Sequence, residues 1–482
     1  MLETVSPGKR DSMDAATDVA SKLEATHIQS SPPPSSSTTA GLTSLPASVR
    51  NKIYAHVLDT ELVNAGQPNV SYTHTIKAST LHFSASRPPF PVQTSLFYVN
   101  KQISQEARQF FYSKNLFVKF EIYSSDARHV KTMLEESGVL FSVAKPEAVQ
   151  RCKAHAMDLT VIEKGSAVKR ASVMFPAQYL PRLINFIEQA SKASGSWAPS
   201  HALFISVKNM YGLENARVQG DLLELFRLIT NVGKVEIEGK ELLDGYAEGL
   251  QKSMMAANFE PEEWLKLVSE MTDRAEQASK KKDDDAAAQH AQAAIISMTY
   301  AYLTRAETLH SQPESFARGV QRLRWRTELS LANTLHSKHP SSTSESSDPA
   351  TEKASAADLL AAETAASHAL SLATDSPSPD SNPWFRSLPA ELIPPNKADW
   401  FTDEERGRSW YALGLAHMAL DEFLFAAGDL ERSVGLLGES TSGEMRGEVE
   451  KAFAKAREGI DWEVRPGIGL RKAARVARRE AE

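Results

Sequence analysis

Apolar residues recur along this chain with two periods, and the change from one to the other divides it. Leu45, Val49, Ile53 and Val57 fall four apart, with Tyr54 and Leu58 beside them, which predicts a helix with Arg50, Asn51 and Lys52 turned to water. Pro46 suits its first turn, and the helix is expected to stop near Asp59. Val70, Tyr72, His74 and Ile76 then alternate with polar residues. Leu81 and Phe83 follow, ahead of Pro88, Pro89 and Pro91, so the stretch predicts one or two short strands and an irregular loop. Leu96, Val99, Ile103, Ala107, Phe110 and Phe111 form the apolar face of a second helix, ended by Ser113-Lys114-Asn115 and followed by a strand from Leu116 to Tyr123.

From there to about residue 255 the two periods alternate. Strands are predicted at 155–162, 171–175, 202–207 and 234–238, and helices at 127–137, 178–193, 220–230 and 241–254. Such alternation describes a small α/β or α+β layer domain. After Pro261 the period of two disappears. Helices are predicted over 262–280, 286–310, 316–337, 355–373, 402–419, 421–436 and 443–459. The fold class is therefore α+β, a mixed N-terminal half followed by an all-α half.

Residues 1–40 are polar and end in a Ser/Pro run, so they are expected to be disordered. Two further Ser/Pro-rich stretches, about 337–354 and 374–399, read as insertions within the helical half. The expected divisions are thus 1–40, 41–123, 124–258, 259–462 and a basic tail at 463–482.

Two stretches carry motifs. The first is Leu45-Pro46-Ala47-Ser48-Val49-Arg50-Asn51-Lys52-Ile53-Tyr54. It is joined further on by Val99-Asn100-Lys101-Gln102-Ile103-Ser104-Gln105-Glu106-Ala107 and Phe111-Tyr112-Ser113-Lys114-Asn115-Leu116-Phe117. In this order and spacing they resemble the F-box-like domain of fungal proteins, with its Leu-Pro opening, Arg-Asn-x-Ile-Tyr helix, Glu-Ala helix and Phe-Tyr-x-x-Asn-x-Phe segment. The resemblance spans residues 42–123. It implies that Leu45, Pro46, Val49 and Ile53 contact a Skp1-type adaptor of cullin-RING ubiquitin ligases. Ser48 and Val49 depart from the commoner Glu and Leu, and the same periodicity suits a helix packed on its own domain.

The second is Trp410-x-x-Leu413-Gly414-x-x-His417, followed by Ala426-x-x-x-Leu430-x-x-Ser433. These offsets resemble the tetratricopeptide (TPR) repeat. Small residues at 414, 426 and 433 let two helices approach, while Trp410, Leu413 and Leu430 fill the space between them. Thr402-Asp403-Glu404-Glu405 reads as a capping box. His417 replaces the usual aromatic, and Asp421 stands near the place of the usual turn glycine. Ala362, Ala366 and Ala369 repeat the spacing upstream, and helices 262–280 and 286–310 form a third, poorer pair. Stacked hairpins imply a groove for a protein or peptide partner.

Composition removes alternatives more than it adds any. The chain has 482 residues, with 54 Lys and Arg against 61 Asp and Glu, and one cysteine, Cys152. A net charge of −7 does not suit general nucleic-acid coating. One cysteine allows no internal disulfide and no cysteine-based zinc site, and fits an intracellular place, cytoplasmic or nuclear. No secretory h-region lies in residues 1–29 and no apolar run is long enough for a membrane span, so no membrane is expected. No phosphate-binding, metalloprotease, serine-hydrolase or calcium-loop motif occurs, so no catalytic residue, metal or cofactor is expected. Leu388-Pro389-Ala390-Glu391-Leu392 imitates the F-box opening, but Pro394-Pro395 forbid the helix. The expectation is a non-enzymatic interaction protein, a substrate-recognition adaptor of a Skp1-cullin ligase. The alternative is a TPR-like scaffold or co-chaperone-type protein with no ubiquitin role. An enzyme would need a Ser, Cys or His beside a carboxylate within 115–255, and no motif offers one.

Overall fold

Helix α1 (Ala47–Leu58) begins directly after Pro46, and helix α2 (Lys101–Asn115) is capped by Asn100, whose side chain accepts from the Ile103 amide at 2.9 Å. The two run in the same direction, because Arg50 meets Glu106, Tyr54 meets Phe110 and Leu58 meets Asn115. Between them in sequence lie strands β1 (Tyr72–Lys77) and β2 (Thr80–Ala85), an antiparallel hairpin. Its two-residue turn puts both Ala78 and Ser79 at positive φ, the geometry that matches the twist of a tight hairpin. The computed structural model describes residues 41–142, 146–339, 349–374, 398–437 and 443–460. Gly41–Leu45 belongs to a separate unit and forms one 3-10 turn, in which Ser44 Oγ donates to the Gly41 carbonyl at 2.6 Å.

The five strands predicted between residues 116 and 238 all form, and they make one mixed sheet. They are β3 (Phe117–Tyr123), β4 (Met157–Glu163), β5 (Lys169–Pro176), β6 (His201–Val207) and β7 (Lys234–Glu238), in the spatial order β5-β3-β4-β6-β7. The β3–β4 and β6–β7 pairs are parallel, and β3–β5 and β4–β6 are antiparallel. Inward positions alternate along the strands, so Phe120, Leu159, Val161, Phe175 and Ile205 meet in the core. Helices α3 (Ala127–Glu136), α4 (Pro146–Arg151), α5 (Leu180–Ala193), α6 (Asn215–Leu223) and α7 (Tyr246–Met255) accompany the sheet. The hairpin joins it through Tyr72, which stacks on Phe141 at 4.0 Å and donates to its carbonyl at 2.8 Å.

Two expectations change here. The helix predicted at 220–230 is α6 from residue 215 and then a 3-10 turn, Glu224–Leu228. That turn buries Glu224 and Arg227 together with Tyr246, whose hydroxyl donates to Glu224 at 2.8 Å. The short α4 has no counterpart in the periodicity.

The helical half holds α8 (Pro261–Lys280), α9 (Asp284–His310), α10 (Glu314–Ser337), α11 (Pro349–Ala373), α12 (Asp403–Ala419), α13 (Phe423–Leu436) and α14 (Gly443–Glu458). Helix α8 ends in the lysine run. Helix α9 starts in the aspartate run, and Asp283 caps it by accepting from Ala286. Successive helices pack on one another, α11 on α12 included, although residues outside the description lie between these two in sequence. In addition α8 packs on α10, α10 on α12 and α12 on α14. Short turns at 281–283, 311–313 and 420–422 fold the neighbours antiparallel. The result is a stack of hairpins. Its first members share one core with the sheet: Trp264, Val268, Met298 and Phe316 belong to the same apolar cluster as Phe120 and Phe175. The change of architecture near residue 259 is therefore no gap between cores.

Helix α11 starts at Pro349, so helix occupies part of the stretch read as an insertion. Trp400 and Phe401 pack against Trp325 at the far side of the second insertion. Residues 1–40, 375–397, the Leu388–Leu392 imitation and the basic tail lie outside the described residues.

Candidate functional site

The two halves of the N-terminal motif meet in space through their own letters. Arg50 Nε donates to Glu106 Oε2 at 2.7 Å and its Nη2 to Oε1 at 2.8 Å, a two-point guanidinium–carboxylate pair. The Tyr54 hydroxyl donates to the same carboxylate at 3.0 Å. The hydrogen bonds from Arg50 hold the Glu106 carboxyl below its ordinary pKa, and burial pushes the Tyr54 phenol up to about 12. At the other end Asn115 Oδ1 accepts from Thr60 N and Oγ1 at 3.0 and 2.7 Å, while its Nδ2 donates to the Leu58 and Phe111 carbonyls at 3.0 and 2.6 Å. A buried amide with every hydrogen-bonding valence used locks the ends of α1 and α2 together.

This buckle turns α1 by one residue from its expected orientation: Tyr54 and Leu58 are buried and Asn51 and Lys52 exposed as expected, but Arg50 and Val49 exchange places. The buried face is Arg50, Tyr54 and Leu58, and Val49 is 39% exposed. Arg50, expected toward water, is inside because Glu106 gives its charge a partner there. Ile53, Val57 and Pro46 are half-buried. Leu45 lies in the preceding unit and is itself half-buried.

A second correction falls on Val99, which was expected on the apolar face of the second helix. Helix α2 starts only at Lys101, after a 3-10 turn at Thr94–Tyr98 in which Phe97 is the inward residue. Val99 is left 60% exposed and Tyr98 81% exposed. The parallel course of the helices places these two at the same end of the pair as Pro46 and Val49. Sequence reasoning missed Tyr98; its only signal is an aromatic side chain that falls out of the helical period.

In the helical half Trp410, Leu413, Ala426, Leu430 and Ser433 are all buried, but not all between α12 and α13. Ala426 and Leu430 share one apolar cluster, whereas Trp410 and Leu413, expected in the same space, pack with Leu331, Ala362, Ala366 and Leu370 of the preceding helices. A Cβ added at Gly414 would stand 2.7 Å from Leu430 Cγ, so the helices touch where glycine allows it. Ser433 Oγ donates to the Gly407 carbonyl at 2.8 Å, and the Arg432 guanidinium covers the Trp410 ring at 4.8 Å. The capping box at Thr402 and Glu405 is formed. Asp421 takes the positive φ, 62°, that the turn requires in place of a glycine. His417 Nδ1 is 2.6 Å from Asp429 Oδ2. Burial alone would lower the His417 pKa, but the bond and charge of Asp429 outweigh it and raise it.

Between α8 and α10 opens a cleft of about 300 Å³, lined by Leu265, Ser269, Gly319, Arg322, Leu323 and Arg326, with Trp325. Its cations are already answered. Arg326 bonds Asp273 and Glu276, and Arg322 bonds Glu405 and the Trp400 carbonyl. The cleft therefore offers surface and hydrogen-bonding groups without a strong net charge.

Cys152 has a histidine and a carboxylate for neighbours. His155 Nδ1 is 2.9 Å from the Cys152 carbonyl, and its Nε2 is 2.9 Å from Asp158 Oδ1; Lys208 shares Asp158. The bond to Asp158 lifts the His155 pKa to about 9, and the His155 ring lowers that of the thiol. The His155 ring is held in place by the Cys152 carbonyl on one side and by Asp158 on the other.

Among the described residues no group of three or more His, Cys, Asp or Glu is placed to hold a metal ion, and no helix is long and apolar enough to cross a membrane. Comparison with protein-family models, with curated proteins and with solved structures found no match to this chain.

Proposed function

We propose that this chain is an interaction protein of F-box-like type that recruits a partner to a Skp1-type adaptor of a cullin ubiquitin ligase, without catalysis of its own. The observation that carries this reading is the orientation of α1. Of the four residues that the resemblance assigns to the adaptor, Leu45, Pro46, Val49 and Ile53, the three in this unit lie off the buried face of Arg50, Tyr54 and Leu58, with Val49 exposed and Pro46 and Ile53 half-buried. Tyr98 and Val99 extend the same end of the pair with exposed apolar surface of the kind that marks protein contacts.

The test is calorimetric binding of the full chain to Skp1. Micromolar or tighter binding is expected. The Val49→Asp/Ile53→Asp pair is expected to weaken it at least about 100-fold, with thermal unfolding of the chain little changed. No binding by the unaltered chain overturns the reading.

A second reading, a TPR-like scaffold, rests on the hairpin stack and its cleft at Leu265, Gly319 and Leu323. In that reading a peptide partner is held by the first helices of successive hairpins, and its binding is lost on Gly319→Trp while Skp1 is never bound.

A further inference from the structure

The last complete hairpin carries an apolar surface that no described residue covers. Leu424 and Phe425, in the first turn of α13, are 65% and 59% exposed, although Ala426 beside them is fully buried. Acidic groups lie close by, around His417. The Phe425 ring lies 5.8 Å from that of His417, whose Nε2 is 4.0 Å from Glu363 and 3.9 Å from Glu422. Asp421 is exposed at the adjoining turn. His417 gives its close ion pair to Asp429, which also pairs with Arg432 at 3.6 Å. Burial, reinforced by the charge of Glu363, raises the pKa of Glu422.

The chain itself arrives at this place. Gly459, just after α14, passes so close to Phe423 that a Cβ would sit 2.5 Å from its ring, and Ile460 packs on the same apolar cluster as Ala426 and Leu430. Residues 461–482 come next and lie outside the described residues. They supply what the surface lacks. Trp462, Val464, Ile468 and Leu470 are apolar, and Arg465, Arg471, Lys472, Arg475, Arg478 and Arg479 are cations, with no acid between 465 and 479. Ten extended residues span roughly 33 Å, several times the width of a helix backbone, so reach sets no limit.

We propose that residues 461–482 dock in cis on this surface, apolar side chains on Leu424 and Phe425 and cations against Glu363, Asp421 and Glu422. The tether supplies an effective concentration on the order of millimolar, so contacts too weak for a free peptide are populated here. The proposal stands apart from the adaptor reading, because it uses other residues.

Hydrogen exchange of the full chain tests it, with a synthetic peptide of residues 461–482 as the unprotected reference. The tail amides are expected to exchange about tenfold or more slowly than in the peptide. Leu424→Ser/Phe425→Ser is expected to restore the peptide rate while the α12 and α14 amides keep theirs, since both altered side chains are exposed. Glu363→Gln/Glu422→Gln or added salt is expected to give part of the same release. A tail that exchanges at the peptide rate in the unaltered chain overturns the proposal. So does protection that disappears on dilution, which assigns the surface to the tail of a second copy.

Discussion

The N-terminal helix pair and the α12–α13 hairpin both follow a residue pattern, and they use it in opposite ways. In the hairpin the pattern is a packing code. Gly414, Ala426 and Ser433 face inward, and the small side chains are needed because the helices touch there. In the pair the polar letters do the packing. Arg50, Tyr54, Glu106 and Asn115 hold α1 on α2, while the aliphatic Val49 is left outside. An apolar period therefore marks a core in one region and a partly uncovered face in the other. What separates them is whether a second element supplies partners for the polar residues next to the stripe.

The sharpest way to break this contrast is at Tyr54, which is fully buried between the pair's two helices. Tyr54→Ala is expected to cost about 3–5 kcal/mol, read as a lowered denaturant midpoint. Tyr54→Phe, which removes only the bond to Glu106, is expected to cost about 1 kcal/mol. Equal losses in the two variants would mean that the hydroxyl, not the ring, holds the pair.

Gly414→Ala probes the hairpin. The new methyl must displace Leu430, and the expected cost is about 2–3 kcal/mol. A stability unchanged within about 0.5 kcal/mol would show that the α12–α13 contact is not close, and the packing code would fail where it is strongest.

A further effect lies in the sheet region and depends on pH. The His155 pKa rises from 6.5 to about 9 in the folded chain because Asp158 stabilises its charged form. The unfolded chain releases that proton first, so the contribution is fully present below pH 6.5 and is lost as pH rises through about 9. Its size is about 2 kcal/mol, less than the full shift because Lys208 competes for Asp158. Denaturant titrations at pH 6 and pH 9.5 should show this loss in the unaltered chain. His155→Gln should be less stable at pH 6 and nearly free of this pH dependence. An equal slope in both proteins would assign the dependence to other groups.

Much of the fold was legible because its elements have strong periods. Among the described residues, the five strands between residues 116 and 238 and the seven helices after Pro261 follow from alternation or from recurrence every three to four residues. The capping box at Thr402 was legible for the same local reason, since a side chain bonds amides within its own first turn. The 3-10 turn at Glu224–Leu228 was not, because its Glu224–Arg227 pair depends on Tyr246, which lies 22 residues from Glu224. The His155–Asp158–Lys208 group was not either, because sheet pairing brings Lys208, 50 residues on, to Asp158.

The candidate site divides along the same line. By itself the sequence determined which residues form α1, most of α2 and the hairpins, and that Gly414, Ala426 and Ser433 mark a close contact, because these follow from neighbours within a few turns. Only the tertiary structure decided which side of α1 is buried. Arg50 is inside because Glu106, 56 residues away, reaches it with a two-point bond. The same decision left Val49, Val99 and Tyr98 exposed. Periodicity says where side chains point around a helix axis; what covers each direction is set by the elements that pack there.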